Sequence, residues 1–413
     1  MEQDYHQKYI KYKTKYLNAQ TGGVVNYKIS KVDGYEALWY AGFIGEIKSE
    51  LRNVHDSIVQ SKGEPYSDYM KRVNKAIYDY IDHNWRKIKV TPYNPKWNPA
   101  PEDDHKNYIK SRIYEIKQAS KFKWSIETYS RFINVLVYEH NKLLVEAKLA
   151  NGAIKLPSVY KFNYGLFYSS VGKKLFRDDT STLTHTPIEI HKMTTTEAVK
   201  KLLCSDKTGI TLGVLNMANN DHIGGGYVTG ANAQEEDLCR SFPILYHAVD
   251  QYKHLYPINP DTISSCIICG PVDSITRKGS SENYEVITKT DTDWILSENN
   301  DMNFISIAAP DLSNTNKIPD DMVYMQRLIT IIIFGALVSG CDCLLLGAIG
   351  LGVFAPKLAN KAEQDEYKRD VLRTMIGFSK EFSSLFTYGI HFACTPGDNY
   401  NKLVEIRDEL YSE

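Results

Sequence analysis

The sequence predicts an α/β fold, a three-layer α/β/α sandwich, preceded by a mostly helical N-terminal domain. From about residue 191, short apolar runs with strand character alternate with segments of helical periodicity. This alternation is typical of a sheet covered by helices on both faces, with ligand loops at the carboxyl ends of strands. Before residue 150, apolar residues recur every three or four positions, which indicates helices.

Charge divides the chain near the same place. Residues 1–165 hold 27 Lys and Arg against 18 Asp and Glu, whereas residues 166–413 hold 22 against 32. An asymmetry of this size favours separate modules. We therefore expect a basic N-terminal helix or tail (1–35), a helical bundle (36–150), a connecting region (151–190) and the α/β domain (191–413).

The N-terminal stretch carries tyrosines at helical spacing, at positions 5, 9, 12 and 16, among several lysines. It resembles a short N-terminal motif found on many otherwise unrelated proteins of large DNA viruses, which implies a viral source. A plain basic helix or tail is the alternative interpretation. The positive N-terminal module could contact nucleic acid or another polyanion, although a solvated surface also explains its charge.

Cysteine usage and hydropathy indicate the cellular compartment. The longest apolar run, Leu328–Leu337, is too short to span a bilayer, and the polar N-terminus predicts no signal peptide. The seven cysteines include a CxxC (266 and 269) and a CxC (341 and 343), both in apolar, strand-like surroundings. We expect buried free thiols rather than a metal site, no membrane partner, and a reducing, cytoplasmic compartment, with the nucleus still open.

The first group of candidate site residues lies in 216–242, NMANNDHIGGGYVTGANAQEEDLCRSF. An apolar strand precedes three consecutive glycines, and a Gln-Glu-Glu sequence follows where a helix begins. Glycines allow positive φ and a close approach of a ligand to the main chain. Adjacent carboxylates on a helix point about 100° apart, so one can face a ligand while the other braces it.

A second glycine loop, GAIGLGVF at 347–354, follows the apolar strand 342–346. Backbone N–H groups at such a strand end can bind phosphates without a charged side chain. The loop has neither the lysine of a P-loop nor a complete GxGxxG, so the sequence does not support an NTPase or a dinucleotide-binding site. A plain tight turn is the alternative.

Together the two motifs resemble those of macrodomain-type poly(ADP-ribose) glycohydrolases, most closely the compact bacterial-type branch. That family carries a GGG loop, a short spacer and QEE, and its diphosphate loop usually reads Gly-Ala-Trp-Gly-Cys-Gly-Val-Phe. This chain departs from the loop at Ile349 and Leu351, and has Ala355-Pro356 where Gly-Asn often follows. The resemblance covers roughly residues 190–400 and implies a macrodomain-like sandwich.

The resemblance also implies roles. Glu236 would be the acid that protonates the leaving ribose oxygen, and Glu235 would bind the adjacent ribose. The implied substrate-binding residues are Asn219, Gly224, Gly225, Gly226, Gln234, Gly347, Ala348, Gly350, Gly352, Val353 and Phe354. The implied partner is poly(ADP-ribose) or an ADP-ribosylated protein, with no metal and no cofactor. A non-catalytic ADP-ribose reader and a hydrolase of single ADP-ribose units are the alternatives, and the intact QEE argues against the reader.

Overall fold

The computed structural model describes residues 126–150, 152–163, 186–258, 263–282, 284–315, 322–352 and 354–412, besides the isolated residues 57, 61, 64 and 72. The predicted N-terminal helix (1–35) and most of the predicted helical bundle (36–150) lie outside the described residues. The strands are β1 Ser158–Asn163, β2 Glu189–His191, β3 Thr211–Met217, β4 Ser265–Val272, β5 Asp301–Ile307, β6 Cys343–Leu346 and β7 Ile390–Ala393. The helices are α1 Ile126–Ala150, α2 Thr195–Leu203, α3 Gln234–Ser241, α4 Pro243–Asp250, α5 Val323–Val338, α6 Lys361–Phe382 and α7 Asp398–Ser412. Short 3-10 helices cover Lys253–Leu255, Ser280–Glu282, Thr292–Trp294 and Ser383–Leu385.

Within the described residues, seven strands form one mixed sheet in the order β1-β4-β5-β3-β6-β7-β2. Strands β5, β3, β6, β7 and β2 run parallel to one another. Strand β4 pairs antiparallel with β5, and β1 pairs antiparallel with β4 at one edge of the sheet. The predicted α/β fold is therefore confirmed as a mixed sheet. Strand β3 lies at its centre, which places the carboxyl end of β3 between two parallel neighbours.

Helices cover both faces of the sheet because its inner strands are apolar on both sides. In β3, Leu215 joins the core formed with α5, α6 and α7, whereas Leu212 and Val214 join the core formed with α1, α2, α3 and α4. Successive side chains of a strand point to opposite faces. A near-continuous apolar run such as that in β3 is thus the pattern of a strand buried on both sides.

The Gln-Glu-Glu sequence begins a helical segment that is divided in two. The structure has α3 and α4, with a break at Phe242 (φ −124°, ψ 69°). Pro243 causes the break, because the residue before a proline avoids the helical region and proline lacks a donor N–H. Helix α2 begins with a capping box formed by Thr194 and Glu197.

Strand β1 lies in the predicted connecting region, and it pairs with β4 from Ser158 opposite Gly270 to Asn163 opposite Ser265. Helix α1, from the predicted bundle, packs on α3 and α4. The sheet and its covering helices thus include residues before 191. The division into modules stays a prediction, since most of the N-terminal part lies outside the described residues.

The apolar run 328–337 lies in α5 and extends to its second-to-last residue, and most of its side chains are buried. Among the helices of the described ranges, none has the combination of length and apolarity that crossing a membrane requires. All seven cysteines are free thiols, and those of the CxxC and CxC pairs are buried, as predicted.

Candidate active site

The two predicted motifs meet at the carboxyl ends of two neighbouring strands in the middle of the sheet. Strands β3 and β6 are parallel neighbours, with Leu212 opposite Cys343 and Val214 opposite Leu345. The loops that follow these strands, 218–233 and 347–354, therefore lie side by side. The approach is close at Gly347, where a Cβ atom would collide with the Met217 Cε at the end of β3.

Glu235, in the first turn of α3, is buried, with 3% of its surface exposed. One carboxylate oxygen accepts a hydrogen bond from the Asn219 N–H (2.7 Å), and the other accepts bonds from the Gly224 N–H (3.1 Å) and the Asn216 amide (3.5 Å). Burial raises the pKa of Glu235 to about 8, and the Glu236 charge adds to this, while the three hydrogen bonds oppose it.

Glu236 is also buried, with 6% of its surface exposed, and it points to a different part of the glycine turn. Its Oε1 accepts from the Gly226 N–H at 2.8 Å, and its Oε2 accepts from the Ala233 N–H at 3.1 Å. The second bond caps the start of α3 from the Glu236 side chain alone, because Glu236 is the third residue of α3 and its N-cap residue, Ala233, has no side-chain oxygen to bond in return. The carboxylate is thus held on both oxygens by backbone donors.

The three glycines form a series of turns wrapped around these carboxylates. Gly224 (φ +68°) and Gly225 (φ +54°) occupy the left-handed region that side chains disfavour. A Cβ atom on Gly225 would lie 2.6 Å from Glu236 Oε1 and 3.0 Å from Glu235 Oε2. Glycine is required here both for the backbone conformation and for the close approach of the two acids.

Gln234 and Asn219 shape the loop with their side chains. The Gln234 amide accepts from the Met217 N–H (2.8 Å) and donates to the Leu215 carbonyl (2.7 Å), so it joins the start of α3 to the end of β3. The Asn219 side-chain oxygen accepts from the N–H groups of Asp221 and His222, both at 2.9 Å. These two predicted binding residues therefore act on the loop backbone in this structure.

The second loop has one glycine in the left-handed region and one buried side chain. Gly350 has φ +83°, and its carbonyl accepts a hydrogen bond from the Tyr367 hydroxyl at 3.1 Å. Ile349 is 2% exposed and packs in the core with side chains of α5 and α6.

Further along the second loop, the Phe354 carbonyl accepts from the Leu312 N–H at 2.9 Å, which ties the loop to the segment after β5. Ala348 is half-buried and Gly352 is exposed. Val353 lies outside the described residues. The exposed stretch at Gly352 leaves backbone groups of this loop open to a ligand.

Asn216 was missed by the sequence reasoning. It is buried at the end of β3, donates to Ser306 Oγ at 3.0 Å as well as to Glu235, and has an Oδ1 atom with no partner among the described residues. The signal was an asparagine inside an apolar strand, directly before the glycine loop.

Helix α1 also holds the glycine loop, which the sequence did not indicate. The Asn134 amide donates to the Gly230 carbonyl at 3.1 Å, and the Asn141 amide donates to the Tyr227 hydroxyl at 3.0 Å. Tyr227 follows the three glycines directly and is fully buried. Helix α1 thus fixes the far side of the loop whose near side contacts the two glutamates.

Residues 144–267 match the family described as the microbial-type PARG catalytic domain, where PARG denotes poly(ADP-ribose) glycohydrolase. The match includes the glycine turn and both glutamates, and it ends before the 347–354 loop. No curated protein sequence matches the chain. The match confirms the resemblance seen in the sequence and the predicted enzyme class, a glycosidase that acts on poly(ADP-ribose).

Several solved structures are similar. The poly(ADP-ribose) glycohydrolase of Thermomonospora curvata is 20% identical, with a TM-score of 0.49 over 66% of this chain and 98% of that one. The same enzyme bound to the inhibitor ADP-HPD has a TM-score of 0.47 at 20% identity, with the same coverage of 66% and 98%. The Deinococcus radiodurans enzyme in complex with ADP-ribose is 20% identical, with a TM-score of 0.45 over 62% of this chain and 94% of that one.

Proposed function

We propose that this chain is a poly(ADP-ribose) glycohydrolase of the microbial type, in which Glu236 is the catalytic acid at the ribose–ribose O-glycosidic bond. The scaffold would be a macrodomain-like α/β/α sandwich. The observation that carries the proposal is the burial of two adjacent carboxylates at the start of α3, each bound to backbone N–H groups of one glycine turn. A plain loop-to-helix connection has no need to bury two acids.

The reaction needs one proton donor at the leaving oxygen. Glu236 would give its proton to the glycosidic oxygen as the bond from that oxygen to the anomeric carbon breaks, and an oxocarbenium-like centre would form. Water would then add to the anomeric carbon and return a proton to the Glu236 carboxylate. Each Glu236 oxygen accepts one backbone hydrogen bond, which leaves a lone pair on each for the transferred proton.

Glu235 and the two loops would hold the substrate in place. Glu235 binds the Asn219 and Gly224 N–H groups and so fixes the turn against which the ribose would pack. The 347–354 loop would offer its N–H groups to the diphosphate, as expected at the carboxyl end of a parallel strand. Asn219, Gly226, Gln234 and Ala348 would complete the binding surface through the loop backbone that they shape.

The test is the release of ADP-ribose from poly(ADP-ribose), read by mass, for the native chain and its Glu236→Gln form. We expect release by the native chain and a loss of about 10³-fold or more in the variant, since general acid catalysis alone contributes about 10²–10⁴-fold. Glu363→Gln is the matched control, because Glu363 is also the third residue of a helix, α6, and has no role in the site. Its rate should equal that of the native chain.

The same assay separates the alternatives. Binding of the polymer without release by the native chain would indicate a reader. Faster release from protein carrying single ADP-ribose units than from the polymer would indicate a mono-ADP-ribosyl hydrolase. Equal activity in the native and Glu236→Gln forms would contradict the role of Glu236.

The basic N-terminal part, residues 1–125, would raise the local concentration of polyanionic substrate or contact a nucleic acid. Deletion of these residues retains α1, which packs on α3 and α4. We expect the shortened chain to keep its kcat and to bind the polymer more weakly, with a shallower dependence on salt. An unchanged affinity and salt slope would contradict this role.

A further inference from the structure

We propose that Glu189, His191 and His391 form a transition-metal site of the zinc class at the β2–β7 edge of the sheet. The ligand atoms of these three residues lie within 4.8 Å of one another. Strand β2 is separated from β3 by β7 and β6, so the site lies roughly 14 Å from the strand that leads into the candidate active site, at about 4.8 Å per strand. It is therefore a separate site.

The strand register brings the three side chains together. Glu189 pairs with His391 across β2 and β7, and His191 is two positions after Glu189 on the same strand. Residues opposite each other, and residues two apart on a strand, share a face. The other face carries Ile190 and Phe392 in the core beneath α6 and α7, so the polar trio lies on the α2 side.

The distances suit a metal with nitrogen and oxygen ligands. His191 Nε2 lies 3.0 Å from His391 Nδ1, and a Glu189 carboxylate oxygen lies 3.9 Å from the first nitrogen and 3.7 Å from the second. Two nitrogens bound to one tetrahedral Zn²⁺ at about 2.0–2.1 Å are about 3.3 Å apart, so the two nitrogens must separate by about 0.3 Å. The two rings, whose planes are 13° apart, must also turn so that both nitrogens point at the ion. The Glu189 side chain is 61% exposed and can move closer.

The surroundings of His391 favour metal binding, whereas His191 is contacted by a group that competes with a metal. His391 Nε2 lies 2.8 Å from the Tyr388 carbonyl, so it carries the proton and leaves Nδ1 with its lone pair toward His191. A backbone carbonyl on the second nitrogen is the usual support of a metal-binding histidine.

Lys201, on α2, is the competitor. Its ammonium lies 3.2 Å from His191 Nδ1, so it donates there and leaves the His191 proton on Nε2, which faces His391. Metal binding requires that Lys201 move away and that this proton shift to Nδ1. The Lys201 side chain is exposed, so it can reorient into solvent. Removal of the ammonium should therefore tighten metal binding.

A bound ion would join the two strands. Strand β2 has three paired residues and, among the strands of the described ranges, pairs with β7 alone, so few of the hydrogen bonds seen there hold it to the sheet. It leads directly into α2, whose Thr195 contacts Gln234 at the start of α3. The ion would act as a structural link at this edge, and a ligand that binds only the folded chain raises its stability.

The test uses the full chain, treated with a chelator and dialysed, with Zn²⁺ as the probe. Calorimetric titration and thermal unfolding are compared for the native chain, Glu189→Gln, Lys201→Met and the double variant His191→Gln with His391→Gln. We expect saturable binding and a Zn²⁺-dependent rise in Tm. We also expect a loss of about tenfold or more in affinity for Glu189→Gln, tighter binding for Lys201→Met, and loss of this binding step in the double variant. His254→Gln, which alters an exposed histidine elsewhere, should match the native chain.

Co²⁺ in place of Zn²⁺ gives an independent reading, because a tetrahedral site with two histidines and a carboxylate produces visible absorption bands. These bands should be absent from the double variant. Equal Zn²⁺ affinity and Tm shift in the native chain, Glu189→Gln and Lys201→Met would overturn the proposal, and both substitutions lie at side chains that the fold does not require. Binding of Mg²⁺ as strong as that of Zn²⁺ would also overturn it.

Discussion

Addition of one methyl group at Gly225 should lower both the catalytic rate and the free energy of unfolding, and the two effects can be measured separately. In Gly225→Ala the new Cβ would lie 2.6 Å from Glu236 Oε1, whereas ordinary contact begins at 3.4 Å. The carboxylate oxygen must therefore retreat by about 0.8 Å, the difference between the two values. A misplacement of about 1 Å at a reacting group costs on the order of 10²-fold in rate.

The stability effect of Gly225→Ala has two parts. The left-handed backbone (φ +54°) costs an alanine roughly 1–2 kcal/mol. The retreat of Glu236 also breaks its 2.8 Å hydrogen bond with the Gly226 N–H. A buried donor left without a partner costs about 1–3 kcal/mol. We expect a total loss of roughly 2–5 kcal/mol in the free energy of unfolding.

Gly340→Ala is the matched control. Gly340 has φ +76°, and nothing lies within 4 Å of its Cβ position. It should lose only the backbone contribution, roughly 1–2 kcal/mol, and keep the native kcat. Urea unfolding and the release of ADP-ribose at saturating polymer measure the two effects. A Gly225→Ala variant whose kcat stays within threefold of the native value would refute the reasoning, as would an equal loss of kcat in Gly340→Ala.

Three further changes test the same site. Burial raises the pKa of Glu235 to about 8, so the folded chain binds more protons than the unfolded one between about pH 4.5 and 8, and the contribution of this group to stability falls as pH rises through that window. Urea unfolding from pH 5 to 9 should show this fall for the native chain relative to Glu235→Gln, and parallel profiles would contradict it. Gln234→Leu leaves the Met217 N–H without its acceptor and should lower the free energy of unfolding by about 1–3 kcal/mol, and a loss below about 0.5 kcal/mol would count against this role. Asn141→Leu removes the oxygen that accepts from the fully buried Arg277 and should cost about 3 kcal/mol or more in the same measurement, whereas near-native stability would show that this contact of α1 is dispensable.

Sequence reasoning could bring the glycine turn and the two glutamates together because they are close along the chain. The Gly226 N–H and the Glu236 carboxylate are 10 positions apart, and a turn followed by a helix start leaves few ways to arrange them. The proximity of the second loop came from the family resemblance. The neighbouring positions of β3 and β6 depend on strand order, which no periodicity encodes.

The contacts that the sequence did not indicate join distant parts of the chain. Asn141 and Arg277 are 136 positions apart, and His191 and His391 are 200 positions apart. The sequence around each of these residues does not indicate such a contact. The two members of each pair come together only when the sheet has formed. The same reason explains β1: its six residues alternate weakly in character, and its place was fixed by pairing with β4.

The two glutamates accept different numbers of hydrogen bonds around the same turn. Glu235 receives three hydrogen bonds, two of them from the main chain at Asn219 and Gly224, so most of its accepting capacity is used by the fold. Glu236 receives only two, from Gly226 and Ala233, and keeps capacity for a proton. The same hydrogen bonds therefore fix both the backbone of the turn and the positions of the two carboxylates. Substitution of Glu235 should thus disturb the backbone that binds substrate, while Glu236→Gln, which can still accept through its amide oxygen, should chiefly remove the proton. Comparison of KM and kcat for the two variants would separate these effects: we expect Glu235→Gln to raise KM and lower kcat together, and Glu236→Gln to lower kcat with little change in KM.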